Sequence, residues 1–428
     1  MSRYSKSIQH LKRAEETIPL GSQTFSKSRT QYPVGISPHY ASKAKGAEIW
    51  DLDGNKYIDL VSALASVTLG YSDKKVNRAV KKQLSLGVSM SLPGKLESEV
   101  SEMIVEMIPS AEMVRFGKNG SDATSAAIRL ARAYTSRDHI LVCGFHGWQD
   151  WYIGSTTRNK GVPESVSALT HKFEFNNIAS FEAMLSEFEG NIAAVILEPM
   201  NVTFPQPGFL ESVKLLTKKA GALLVFDETI TGFRFAKGGA QELFGITPDL
   251  STFGKGMANG FPISAVVGKR EIMLEMEEIF FSGTFGGELL SLAAAKAVLQ
   301  MHSTEAVCDR LSEIGNTLAL ETELRIAQNN LTDYVALSGH SSWKFINWYP
   351  TDNYGANELK TYFLQQAFNE GLLVLSTHNV NLAINDRKID QISKIYGKVF
   401  NDLRRVLENN SLREELKAEP LKSLFRVR

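Results

Sequence analysis

Cysteine is nearly missing from this sequence: its 428 residues hold two, Cys143 and Cys308. Two isolated thiols build neither a disulfide framework nor a thiolate metal centre, and they fit a reducing compartment. A surplus of charge is missing too. The 47 Lys and Arg balance 47 Asp and Glu, for a formal net charge of +0, whereas a nucleic-acid binder usually carries a basic excess. No apolar run approaches the roughly 18 residues that span a bilayer. The opening "MSRYSKSIQHLKRAEETIPLG" is charged throughout and has no apolar stretch of the signal-peptide kind. The expectation is a soluble, cytoplasmic protein that engages neither nucleic acid nor membrane. The histidines show no HExxH spacing, so no metal site is expected. Neither a GxGxxG fingerprint nor a Walker lysine loop occurs, which leaves nucleotide-dependent chemistry unsupported.

What is present is the patterning of a large α/β protein. Apolar runs at 139–145, 193–199, 222–228 and 264–268 have the length of buried strands. Helical patterns at 122–135, 179–188 and 208–220 lie among them, which predicts a mostly parallel sheet covered on both faces. Upstream, a short helix is expected over 5–18. A hairpin is expected around the Asp53–Gly54 pair, and helices over 73–87 and 94–108. After residue 300 the pattern changes to a long helix, 304–328, then strand-like "SSWKFINWYP" and "GLLVLST" with a helix at 356–370 between them. The expected organisation is residues 1–50 joining a small domain, 51–305 forming a large domain, and 306–428 completing the small α+β domain with a charged helical tail.

Ligands of such sheets lie beyond the carboxyl ends of the strands, and three polar features fall there. Asp227 ends an apolar run, where a carboxylate is costly without a cationic partner; a surface strand end explains it equally well. Lys255, in "STFGKGMANG", comes 28 residues later, about one further crossover. A lysine in such a setting is either a turn residue in water or an amine tuned by burial to act as a nucleophile. Phe145, in "FHGWQDW", is core or an aromatic plate. Upstream, Asn119-Gly120-Ser121 opens an alanine-rich helix, either as a plain N-cap or as a phosphate cradle. A phosphate cradle, an aromatic plate, a carboxylate and a lysine together fit pyridoxal 5'-phosphate.

Those segments also carry a resemblance. "WDLDGNKYID", "RFGKNGSDATSAAIRLARAYTSRD", "FHG", "FDETITGFR", "PDLSTFGKGMANGFPISAVVGKREIM" and "SGTF" occur in this order. From about residue 20 to 400 the chain resembles the fold-type I, class III pyridoxal-phosphate enzymes, among them the glutamate-1-semialdehyde 2,1-aminomutases and relatives associated with surface polysaccharides. The resemblance implies the fold-type I architecture and a homodimer with active sites at the interface. It implies Lys255 as the Schiff-base and proton-relay lysine, Asp227 against the ring nitrogen and Phe145 stacked on the ring. Asn119, Gly120 and Ser121 would hold the phosphate, with Thr284 supplied by the partner subunit, and Glu198 would shape the pocket beside the cofactor.

Three positions depart from the family pattern. Thr229 stands where relatives often place valine, adding a hydroxyl near the ring. The segment "STHNVNLAINDRKID" offers no arginine before Arg387 to clamp an α-carboxylate. It also lacks the Phe-Glu pair of the semialdehyde mutases and presents His378 and Asn379 instead, neutral side chains suited to a hydroxyl-rich substrate. Arg29 falls where the mutases bind substrate, and Lys27 nearby would serve as well. The expected function is therefore an aminotransferase. It would move an amino group from a donor such as glutamate to an aldehyde or ketone, possibly a sugar or a phosphorylated glycan precursor. The alternatives are a 2,1-aminomutase and, in another class, a pseudoenzyme acting as a binding subunit.

Overall fold

The computed structural model describes residues 3–422. Among the described residues the chain forms two compact units, one made of Lys74–Asp309 and the other of the residues up to Asp73 together with those from Arg310 to Lys422. The expected boundary at residue 50 would cut the strand Glu48–Asp51. The hairpin it begins continues in Lys56–Asp59, and that strand pairs in parallel with Leu372–Leu373. The whole hairpin therefore belongs with the C-terminal residues.

The larger unit is built on a seven-stranded sheet in the order Met113–Gly117, Ser264–Gly268, Leu250–Phe253, Leu223–Asp227, Ile192–Leu197, His139–Cys143, Thr170–Lys172. The last five run parallel to one another. Chain length explains the exception. Parallel neighbours need a crossover of about a dozen residues or more; helices Ile178–Glu187 and Phe209–Lys219 occupy two of these crossovers. Between Phe253 and Ser264 the chain is too short for one, and Ser264–Gly268 returns antiparallel. Successive side chains of a strand face opposite ways, and the core divides accordingly. Ile140, Val142, Ala194, Ile196 and Val225 pack on the side of Ala127, Leu130 and Ala131. Leu141, Cys143, Val195, Leu197, Leu224 and Phe226 pack with Phe181, Leu210 and Val213 on the other side.

The second unit holds the helix Ser5–Glu15, the four-stranded sheet that contains the hairpin, and a three-stranded antiparallel sheet, Val335–His340, Trp343–Trp348 and Thr377–Asn379. Helices Ala356–Asn369 and Asp386–Glu408 pack through Phe363, with Tyr396 and Phe400 ring centroids 5.9 and 5.7 Å away. The expected tail beyond 400 is the end of that long helix plus Leu412–Glu415; its last residues lie outside those described. Among the described residues no helix is long and apolar enough to cross a membrane.

Candidate active site

The sheet register brings the two leading residues together. Asp227 pairs with Thr252 on the adjacent parallel strand, and Lys255 lies one short turn past that partner. The strand stops at Phe253, and Gly254 leads into a 3-10 turn, Lys255–Ala258. Lys255 enters the turn with φ +37, a left-handed conformation that is costly for a side chain with a Cβ. Burial holds its amine down to about 8. The carboxylates of Glu198 and Asp227 pull the other way, and Arg234 adds to the fall. A lysine so tuned is neutral in a useful fraction near neutral pH. In the cofactor-free protein, labelling of Lys255 by an amine-directed reagent should accelerate as pH rises through about 8, well below ordinary lysines; site-resolved mass spectrometry over a pH series checks this.

Asp227 is buried and held by four donors. Its Oδ2 accepts from His146 Nδ1 at 2.9 Å. Its Oδ1 accepts from the Thr229 amide at 3.1 Å, the Thr229 hydroxyl at 2.6 Å and the Thr252 hydroxyl at 3.1 Å. Burial alone would push its pKa up. The hydrogen bond and charge of His146, with the two Thr229 donors, outweigh that and hold it below the usual carboxylate range.

Glu198 behaves oppositely. Burial, then the charge of Asp227, push its carboxyl up, partly offset by His146, the Phe145 amide and Asn201. Its Oε2 accepts from that amide at 2.9 Å and from Asn201 Nδ2 at 2.7 Å. Two buried carboxyls in one site are thus driven apart, one toward the anion and one toward the acid.

The helix Gly120–Thr135 begins in the same unit. Asn119 caps it, its Oδ1 accepting from the Asp122 amide at 3.2 Å, while Asp122 Oδ2 accepts from the Lys118 and Asn119 amides. The Gly120 and Ser121 amides have no intrahelical carbonyl to meet, as at any helix start, and such amides attract an anion. Space here is tight. A Cβ at Gly120 would meet Thr229 Cγ2 at 3.0 Å, and one at Gly147 would meet Ser121 Oγ at 2.3 Å. Phe145 follows Gly144, whose φ of +110 turns the chain at the strand end. Its ring meets Tyr152 edge-on at 5.6 Å and is 45% exposed, unusual for a phenylalanine at the end of a buried strand. These residues fit pyridoxal phosphate. Oδ2 of Asp227 keeps an acceptor position beyond its bond to His146, the two amides stand ready for an anion, a half-exposed aromatic ring stands at the strand end, and a tuned amine lies beside them.

Sequence reasoning missed His146, although it stands inside the quoted "FHG". A histidine directly after a buried strand and between Gly144 and Gly147 was the available signal. It is buried, and its Nε2 has no partner among the described residues. Thr252 was missed because "LSTF" carries too many hydroxyls to read as a buried strand. Thr284 is exposed, in the segment before helix Leu289–Thr304.

The three proposed substrate residues lie in the other unit. Arg29 is bound to Glu15 at 2.6 Å. Lys27 lines a cavity of about 290 Å³ with Tyr32, His39, Trp50 and Tyr71. His378 and Asn379 correct the expectation placed on them. Both are buried: His378 Nε2 meets the Tyr396 hydroxyl at 2.8 Å, and Asn379 Nδ2 donates to the Val61 carbonyl at 2.7 Å. Thr377–Asn379 is a strand, and its register turns these side chains into packing and cross-links rather than open contacts.

Burial, then the charge of Lys344, hold His378 down to about 3. Unfolded, it would titrate near 6.5, so between those values the unfolded chain binds the extra proton. Stability is then full above about 6.5 and declines as pH falls, by an amount on the order of a few kcal/mol. His378→Gln should flatten that decline in unfolding midpoints measured from pH 7 to 4.5.

Comparison with known proteins agrees with this geometry. The family model for class III aminotransferases matches residues 32–399. The chain belongs to the class III aminotransferases. A glutamate-1-semialdehyde 2,1-aminomutase of Syntrophobacter fumaroxidans is 39% identical over 311 residues, 68% of this chain and 72% of that protein. A 3-aminobutyryl-CoA aminotransferase of Cloacimonas acidaminovorans is 34% identical over 335 residues, 76% of this chain and 80% of the relative. Among solved structures, the PLP internal aldimine form of the FumI protein of Sphingopyxis sp. MTA144 superposes with a TM-score of 0.88 at 27% identity, covering 97% of this chain and 99% of that one. This class III aminotransferase therefore has the fold-type I architecture and is a pyridoxal-phosphate-dependent enzyme.

Proposed function

We propose that this enzyme moves an amino group from a separate donor, glutamate being the first candidate, to an aldehyde or ketone acceptor. The observation that carries the reading is the placement of Lys255 beside a clamped, anionic Asp227 at the carboxyl ends of neighbouring strands. Bound pyridoxal phosphate supplies a carbonyl that captures amines and a ring that withdraws electrons. The chain supplies the rest. The Gly120 and Ser121 amides, with Asn119 shaping the turn, would hold the phosphate, and Phe145 would lie against the ring. Asp227, its pKa held low, would pair with the ring nitrogen. Lys255, as a free amine, would take and return the substrate proton, which its lowered basicity suits. Glu198 would narrow the pocket, its carboxyl pushed up by burial and by the charge of Asp227.

A sugar or glycan-precursor acceptor drew its support from His378 and Asn379, and their burial withdraws it. The acceptor class proposed is a carbonyl compound. We also infer a homodimer in which Thr284 reaches the partner's phosphate site. The exposed apolar side chains Leu84, Leu86, Met90 and Leu92 on this unit support that inference, since clustered apolar exposure marks interaction surfaces. The 2,1-aminomutase reading remains the second, favoured by the names of the 39% identical relatives.

Absorption spectroscopy of the purified protein separates these readings. A yellow band that glutamate discharges to the aminated cofactor, and that a ketone restores, supports net transamination. A band that borohydride fixes on Lys255 but no added donor discharges supports the mutase. Absence of any band after reconstitution overturns both and leaves the binding subunit.

A further inference from the structure

Asp227 has one oxygen filled and one oxygen half filled. A carboxylate offers about four lone-pair positions. Three donors crowd Oδ1: the Thr229 amide, the Thr229 hydroxyl and the Thr252 hydroxyl. Among the described residues His146 alone reaches Oδ2. The hydroxyl of Thr229, at 2.6 Å, makes the shortest of the four bonds. Its own amide binds the same oxygen, so the side chain is anchored at both ends of a small ring. Nothing in this arrangement is needed for packing alone, because valine has the same branched shape.

We propose that Thr229 is a positioning residue that keeps Asp227 anionic and presents its Oδ2 to the cofactor's ring nitrogen, so that the proton between them stays on the nitrogen. This inference rests on the cofactor reading above. The physical argument concerns where one proton sits. A buried carboxyl stripped of donors retains a proton itself, whereas hydrogen bonds to the anion favour the charged form. Each donor on Oδ1 therefore moves the shared proton toward the ring, and a protonated ring withdraws electrons more strongly. The ionisable groups facing Asp227 are His146, Glu198, Tyr152 and Lys255. None of them bonds Oδ1, which leaves the two threonines as the adjustable donors there.

The test is the holoenzyme reconstituted with cofactor labelled with nitrogen-15 in the ring, and the ring-nitrogen chemical shift followed against pH. In Thr229→Val the titration curve should change on its low-pH plateau, the ring-nitrogen shift moving toward the neutral-ring value as the ratio of N–H to O–H falls by up to about tenfold, the equivalent of one charge-assisted hydrogen bond, because that exchange takes no proton from solvent. Thr229→Ser, which restores the hydroxyl without the methyl, should titrate with the natural protein. Should Thr229→Val fold poorly, Thr252→Val removes the 3.1 Å bond to the same oxygen and carries the same expectation. The proposal is overturned if Val and natural protein titrate alike, or if Ser shifts as far as Val and so assigns the effect to packing. Failure of the natural protein to take up cofactor overturns instead the reading on which the proposal rests, and the two failures are distinguishable.

Discussion

Lys255→Ala should abolish turnover, by about 10⁴-fold or more, because it removes both a covalent anchor and the proton carrier at one stroke. The fold should survive. The side chain is a buried amine whose charge burial already opposes, so its loss leaves no unpaired ion behind. Circular dichroism and the unfolding midpoint should therefore stay near those of the natural protein while activity vanishes. The variant should still retain cofactor without a covalent bond, since the helix start, Phe145 and Asp227 are untouched. Borohydride should then fix nothing to the chain. Added small primary amines should restore part of the rate if the missing function is proton transfer. Retained turnover at more than about one part in a hundred, well above that limit, would remove Lys255 from the chemistry.

Asp227→Asn is the second large effect. The amide is nearly the same size, but it carries no charge and turns one acceptor oxygen into a donor. Four donors surround the natural carboxylate. The amide oxygen can satisfy those from Thr229 and Thr252, and its NH₂ group is then forced against His146. Loss of a preorganised charge of this kind costs about 10²–10³ in kcat. Cofactor should also dissociate about tenfold faster or more, the equivalent of a charge-assisted hydrogen bond. Asp227→Glu separates charge from position. It keeps the anion but displaces it from the threonines, and should recover cofactor affinity more than rate.

Much of this site could be read from the chain, for a local reason. Asp227 ends a short apolar run and Lys255 stands between two glycines, and a charge in either place stands out against its neighbours. The crossover length between them was enough to place them together, as the Asp227–Thr252 register shows. Thr252 and His146 were hidden because their importance lies in what they face, not in their own surroundings. The same holds in the other unit. His378 and Asn379 read as open polar groups because their partners lie on other elements, Tyr396 on the helix that follows and Val61 318 residues back along the chain. Helix ends and buried strands follow from nearby residues; cross-links spanning hundreds of residues do not.

The pairing of Leu372–Leu373 with Ile58–Asp59 also sets an order of events during synthesis. The strand Lys56–Asp59 leaves the ribosome early, but the neighbour that covers its outer edge is made 300 residues later. At about 5–20 residues per second, that is a wait of about 15–60 s. Throughout it, the nascent hairpin carries a row of unpaired backbone groups, an invitation to join another chain. Lys74–Asp309 is complete well before the wait ends and can fold in the interval. Any chain cut short before residue 372 keeps that edge open for good, so premature termination should yield aggregates rather than a half-sized enzyme.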